Sequence, residues 1–131
     1  MLAVLNIAFF VFHTALIVFN VFGWMHKRTR KWNLLCLLVT LAGWTILGIW
    51  YGVGYCFCTD WHWQVREAMG IRETADSYIV LLTRNVSGWD PPVSLANAAA
   101  MWTFIFALAM SVALNVRDWR VSRSATHRPR G

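Results

Sequence analysis

The chain has 131 residues, of which 58% are hydrophobic and only 14% charged, whereas a soluble domain carries about a quarter charged. So small a fold cannot bury that much apolar surface in water, which excludes an ordinary soluble globular domain. The formal charge of +6 would suit nucleic acid if the cations shared a face, but they fall in two short blocks beside apolar stretches, so no nucleic-acid partner is expected.

From the N-terminus, Leu2 to Met25 carries no formal charge. A helix needs about 20 apolar residues to cross the hydrocarbon, and this stretch has them. It has no basic segment ahead of it and no small-residue cleavage site after it, so it reads as a span rather than a leader. A basic connection follows, with Lys27, Arg28, Arg30 and Lys31. Asn33 to Tyr55 and Val93 to Val116 are two further uncharged stretches of spanning length. In lipid every backbone polar group must be satisfied within its own segment, so all three are helices. The expected fold is therefore an all-α membrane protein, a single membrane domain over 1–131 with spans at about 2–25, 33–55 and 93–116.

Orientation follows from the cations. Lys27, Arg28, Arg30, Lys31, Arg117, Arg120, Arg123, Arg128 and Arg130 lie on one side, nine in all, against Arg66, Arg72 and Arg84 on the other. The richer side is expected in the cytoplasm and the N-terminus outside, in a bacterial inner membrane. Residues 56–92 then form an outer segment and 117–131 a cytoplasmic tail, the last ten residues of which look disordered. Trp24, Trp32 and Trp119 suit the inner interface, and Trp61, Trp63 and Trp89 the outer one.

The outer segment predicts one or two short interfacial helices. Asp60 suits an N-cap for a helix to about Met69, closed by Gly70. Trp61, Val65 and Met69 recur at helical spacing and would rest against headgroups. Tyr78 to Arg84, capped by Asp76 or Ser77, reads as a second interfacial helix or a dip into the outer leaflet. Asp90, Pro91 and Pro92 break the chain before the third span.

Apolar area does little to join helices in lipid, so small residues and hydrogen bonds must. Asn6, His13 and Asn20 share a stripe on the first span. Thr45, Gly48 and Gly52 offer a small-residue face on the second, and Asn97 and Ser111 line the third. Counting depth puts Asn6 level with Asn97, Asn20 with Ser111, and His13 with Thr103, Phe104, Trp44 and Thr45. Hydrogen bonds are expected across these levels.

His13 is the one imidazole deep in a span, a functional position by default. It could ligate a haem or chlorin, or hydrogen-bond a quinone; alternatively it is a neutral side chain bonded to Thr45 or Thr103. Cys56, Cys58, Asp60 and His62 have metal-ligand chemistry, but their spacing matches no established site and no metal is expected. Cys56 and Cys58 are too close in sequence for an unstrained disulfide. His62 and Arg66 lie one helical turn apart and suit an anionic lipid headgroup, while a capped interfacial helix accounts for the same residues. With no nucleophile–base pair or phosphate loop, catalysis is not expected.

The run from Gly54 through Cys56, Cys58, Thr59, Asp60, Trp61, His62 and Trp63 to Arg66, with Ser77 and Tyr78 downstream and Asn115 to Trp119 at the end, resembles a family of small bacterial inner-membrane proteins classed only as a domain of unknown function. Phe57 stands where family members tend to show Pro, and Cys58 where an aliphatic residue is common, which argues against Cys58 as a required metal ligand. The resemblance implies multi-pass topology and no agreed activity. The functional expectation is an accessory or structural subunit packed against other membrane protein subunits of a larger complex, such as a respiratory or photosynthetic electron-transfer assembly. A cofactor carrier using His13, and a lipid-binding protein or enzyme using Asp60, His62 and Arg66, are the alternatives.

Overall fold

A computed structural model describes residues 1–51, 56–72 and 77–126. Gly52, the second glycine of the expected small-residue face, and Asp76, one of the two expected caps, lie outside them. The described chain is all helical. Its elements are α1 (Leu2–Phe22), α2 (Arg30–Ala42), a π-helical turn (Gly43–Leu47), α3 (Gly48–Tyr51), α4 (Phe57–Ala68), α5 (Tyr78–Ser87) and α6 (Val93–Thr126). Three helices are long and apolar enough to cross a membrane: Leu2–Phe22, Arg30–Tyr51 and Val93–Ala125.

Two small cores hold these elements, one in each half of the bundle. In the half nearer the basic connection, Leu37, Phe104 and Ala107 are buried with Trp24, Leu41, Trp44 and Leu108 around them. Trp44 and Phe104, expected at one depth, do meet, with ring centroids 4.8 Å apart. In the other half, Tyr78, Val80, Leu81 and Ala96 are buried against Phe10, Ile17 and Trp63.

The π turn contains a polar side chain with local partners. Thr45 Oγ1 donates back to the carbonyls of Leu41 and Ala42, at 2.9 and 3.3 Å, and such back-bonding loosens and bends a helix. Thr45 is therefore exposed and spent within its own helix, not paired with His13 as the depth count suggested.

The two short helices expected in the 56–92 connection are present, but they are not confined to a surface. Cys56 lies against His13 and His62 against Asn6, so α4 climbs antiparallel along the first half of α1. Its N-cap is Cys56 rather than Asp60, which sits within the first turn, where a carboxylate favours the helix dipole. Gly70 follows with φ +76. In α5, Ser77 is the N-cap and Gly88 the C-cap in the left-handed region at φ 72. Arg84 grips Asp90 through both carboxylate oxygens at 3.0 and 3.1 Å, closing the short turn into α6. That last helix runs on to Thr126, ten residues past the expected end of the span, so residues 122–126 of the tail are helical rather than disordered. Arg30 anchors this extension from α2, its Nη1 lying 2.7 Å from Asp118 Oδ2.

Candidate functional site

The densest set of chemically capable side chains forms where α1, α4 and α5 meet. Tyr78, first residue of α5, lays its ring against His13 with centroids 3.9 Å apart and planes at 22°. Its hydroxyl donates to the Phe10 carbonyl at 2.9 Å and receives from Thr14 Oγ1 at 3.0 Å. Burial holds the Tyr78 phenol above its ordinary 10.0, opposed by the Thr14 hydrogen bond. One tyrosine thus fastens the connection to α1 by stacking and by hydrogen bonds together.

Next along α1 stands His62, fully buried. Its Nε2–H donates to Asn6 Oδ1 at 2.8 Å, and its ring stacks on Phe9 with centroids 5.8 Å apart. The α4 face bearing His62 is therefore turned toward α1. A headgroup has no access to His62 there, so that side chain does not share an anionic lipid with Arg66, which lies one turn on and is half-buried. Asp60 is held by Gln64 Nε2 at 2.8 Å and does not join His62.

His13 Nε2 lies 3.9 Å from Cys56 Sγ, and its buried Nδ1 has no partner among the described residues. Tyr78 covers one face of the imidazole and Cys56 approaches the nitrogen that would reach a metal, so the ring is engaged by this chain's own packing. Among the described residues, no group of three or more His, Cys, Asp or Glu side chains could hold a metal ion.

Cys58 is buried beside Cys56. Burial, and secondarily Cys56, push its thiol from 9.0 to about 11. A thiol so held carries roughly a hundredfold less thiolate at pH 8 than an ordinary one. Iodoacetamide at pH 8, followed by mass spectrometry, is therefore expected to modify Cys58 at least about tenfold more slowly in the folded protein than in the SDS-unfolded chain. Equal rates would show that the burial is not real. Because the fold favours the protonated thiol, its contribution to stability is intact below pH 9.0 and is lost as pH rises toward 11.

The polar residues expected to join the spans distribute differently. Asn20 Nδ2 donates to Thr40 Oγ1 at 3.2 Å, tying α1 to α2 rather than reaching Ser111. Ser111 is fully buried in α6, and its Oγ has no partner among the described residues. Asn97 is exposed and makes no hydrogen bond to Asn6, whose Oδ1 is taken by His62. Gly48 is half-buried in α3. Sequence reasoning missed Tyr78 and Asn33; Ser77-Tyr78 opening an apolar run was the available signal for the first.

Residues 3–116 match a family described as Protein of Unknown function (DUF2784). The chain belongs to this family. No curated protein and no solved structure matches it. The match takes in α2, α4 and α5, all of α1 but its first residue, and α6 as far as Val116. In this DUF2784 member, the imidazoles of His13 and His62 and the phenol of Tyr78 dock the 56–92 connection onto α1.

Proposed function

We propose that this chain is a small accessory subunit of a larger membrane complex, packed against its partner through an outward row of α6. The observation that carries the reading is the row Asn97, Met101, Ile105, Ala109 and Ala113. These residues recur every fourth position, on one side of the helix, and all are exposed. Asn97 makes no side-chain hydrogen bond among the described residues. An amide within an apolar span is costly unless it finds a partner, and two alanines one turn apart let a neighbouring helix approach closely. The engagement of His13 and His62 within the chain favours a structural part over a cofactor-carrying one.

In this reading the basic end faces the cytoplasm of a bacterium, and the 56–92 connection belongs to the opposite, outer half of the bundle, following the excess of Lys and Arg beside Phe22, Arg30 and Val116. Respiratory and photosynthetic electron-transfer assemblies are the class of complex to look for first. Isolation from native membranes in mild detergent is expected to bring down a larger membrane protein in fixed proportion. The double variant N97L/A113L should purify without it while unfolding at the same detergent concentration as wild type. Recovery of wild type as a lone monomer, or with a second copy of itself only, would end the proposal.

A further inference from the structure

Two clefts open among the described residues at the end opposite the His13–Tyr78 cluster. Of about 480 and 240 Å³, they lie between the α1–α2 connection and the last turns of α6. Lys27 and Asp118 line both, Arg117 the larger, and Arg30, Lys31 and Trp119 the smaller. Four cations therefore surround one carboxylate, and that carboxylate is already committed. Arg30 Nη1 holds Asp118 at 2.7 Å and Arg117 approaches it at 3.6 Å. Lys27 and Lys31 are exposed and form no ion pair among the described residues. The Trp119 ring stands beside them, with the Arg123 guanidinium 4.1 Å above its centroid.

The position of the clefts selects the ligand. Lys27 sits in the connection between the first two long helices, Lys31 in the first turn of α2, and Arg117 follows Val116 directly at the close of the third apolar stretch. That is the level at which lipid headgroups meet the protein, and basic pockets between membrane helices take anionic headgroups. Tryptophan there suits the boundary between headgroup and acyl chain. A zwitterionic lipid would bring its own cation into a wall that is already positive.

We propose that these clefts bind the phosphate headgroup of an anionic phospholipid, with Lys27 and Lys31 supplying the free cations. Arg30 takes a different part, holding Asp118 back so that the carboxylate does not neutralise them. A free phosphate shares this chemistry, and the test separates the two sources.

The full chain in nonionic detergent is titrated with phosphatidylglycerol or phosphatidylcholine of the same acyl chains, and bound lipid is counted by native mass spectrometry. Wild type is expected to retain one phosphatidylglycerol at concentrations where phosphatidylcholine is not retained. K27Q/K31Q is expected to bind phosphatidylglycerol about thirtyfold more weakly, with unchanged thermal unfolding in lipid-free detergent, since both side chains are exposed. Displacement by millimolar inorganic phosphate would assign the site to the phosphate group alone, and resistance to it would assign the site to the whole lipid; either supports the proposal. Equal retention of the two lipids by wild type, or undiminished phosphatidylglycerol binding by K27Q/K31Q, overturns it.

Discussion

Tyr78→Ala is expected to destabilise the fold by about 4 kcal/mol and to release α5 from the long helices. The side chain is 5% exposed and belongs to the core formed with Val80, Leu81 and Ala96. Truncation removes the ring stacked on His13 and leaves a cavity between α1, α4 and α5. It also strips one hydrogen-bond donor from the Phe10 carbonyl and the acceptor from the Thr14 hydroxyl. Tyr78→Phe separates these effects, because it keeps the ring and removes only the hydroxyl, for a cost of about 1 kcal/mol. Unfolding by SDS, followed by tryptophan fluorescence, measures both. Equal costs for the two variants would mean that the ring does not pack as described.

Gly23→Ala is expected to cost about 3 kcal/mol, against the sign of intrinsic helix propensity. Gly23 closes α1 with ordinary helical torsions, φ −62 and ψ −21, where alanine would on its own be preferred by up to about 1 kcal/mol. A Cβ there would meet the Phe19 carbonyl oxygen at 2.5 Å and Asn33 Nδ2 at 2.8 Å. Neither can yield cheaply. Asn33 is fully buried, and its amide donates to the carbonyls of Phe19 and Asn20 at 2.7 and 3.3 Å. Those are carbonyls at the end of α1, where a helix lacks enough donors of its own. Arg30 completes the corner by donating Nε–H to the Trp24 carbonyl at 3.0 Å, and Thr29 Oγ1 donates to Gly23 O at 2.6 Å. Gly43, at helical torsions of φ −58 and ψ −48 and with nothing within 4 Å of an added methyl, is the control, and Gly43→Ala should leave stability unchanged or raise it by up to about 1 kcal/mol. Stabilisation by Gly23→Ala would show that the α1–α2 corner is looser than these distances say.

The long helices were legible because the requirement of some twenty uncharged residues acts on each segment separately. Contacts between segments were less legible, and the reason is specific. The depth count took the long helices to be one another's only neighbours, and so matched His13 with Thr45 and Asn6 with Asn97. The chain instead folds α4 and α5 back into that half of the bundle, where His62 and Tyr78 reach the α1 stripe first. Arg30 lies in a basic run that sets the orientation, and nothing local marks it as 8% exposed and paired with Asp118, 88 residues away. The end of α6 was misplaced because loss of apolar character after Val116 marks where a helix leaves hydrocarbon, not where it stops. Of the proposed lipid clefts, the cations were visible in the sequence, but their convergence across the α1–α2 corner and α6 was not.

Doubling back gives the protein unequal girth. Near one end α4 and α5 pack against α1 and α6, while near the other α2 alone joins them. Each helix is about 10 Å across and so occupies on the order of 100 Å² of membrane plane. In a bilayer spanned by the three long helices, such a body would displace more lipid from one monolayer than from the other. Tyr78, which pins α5 to α1, is the side chain that holds the broader end together.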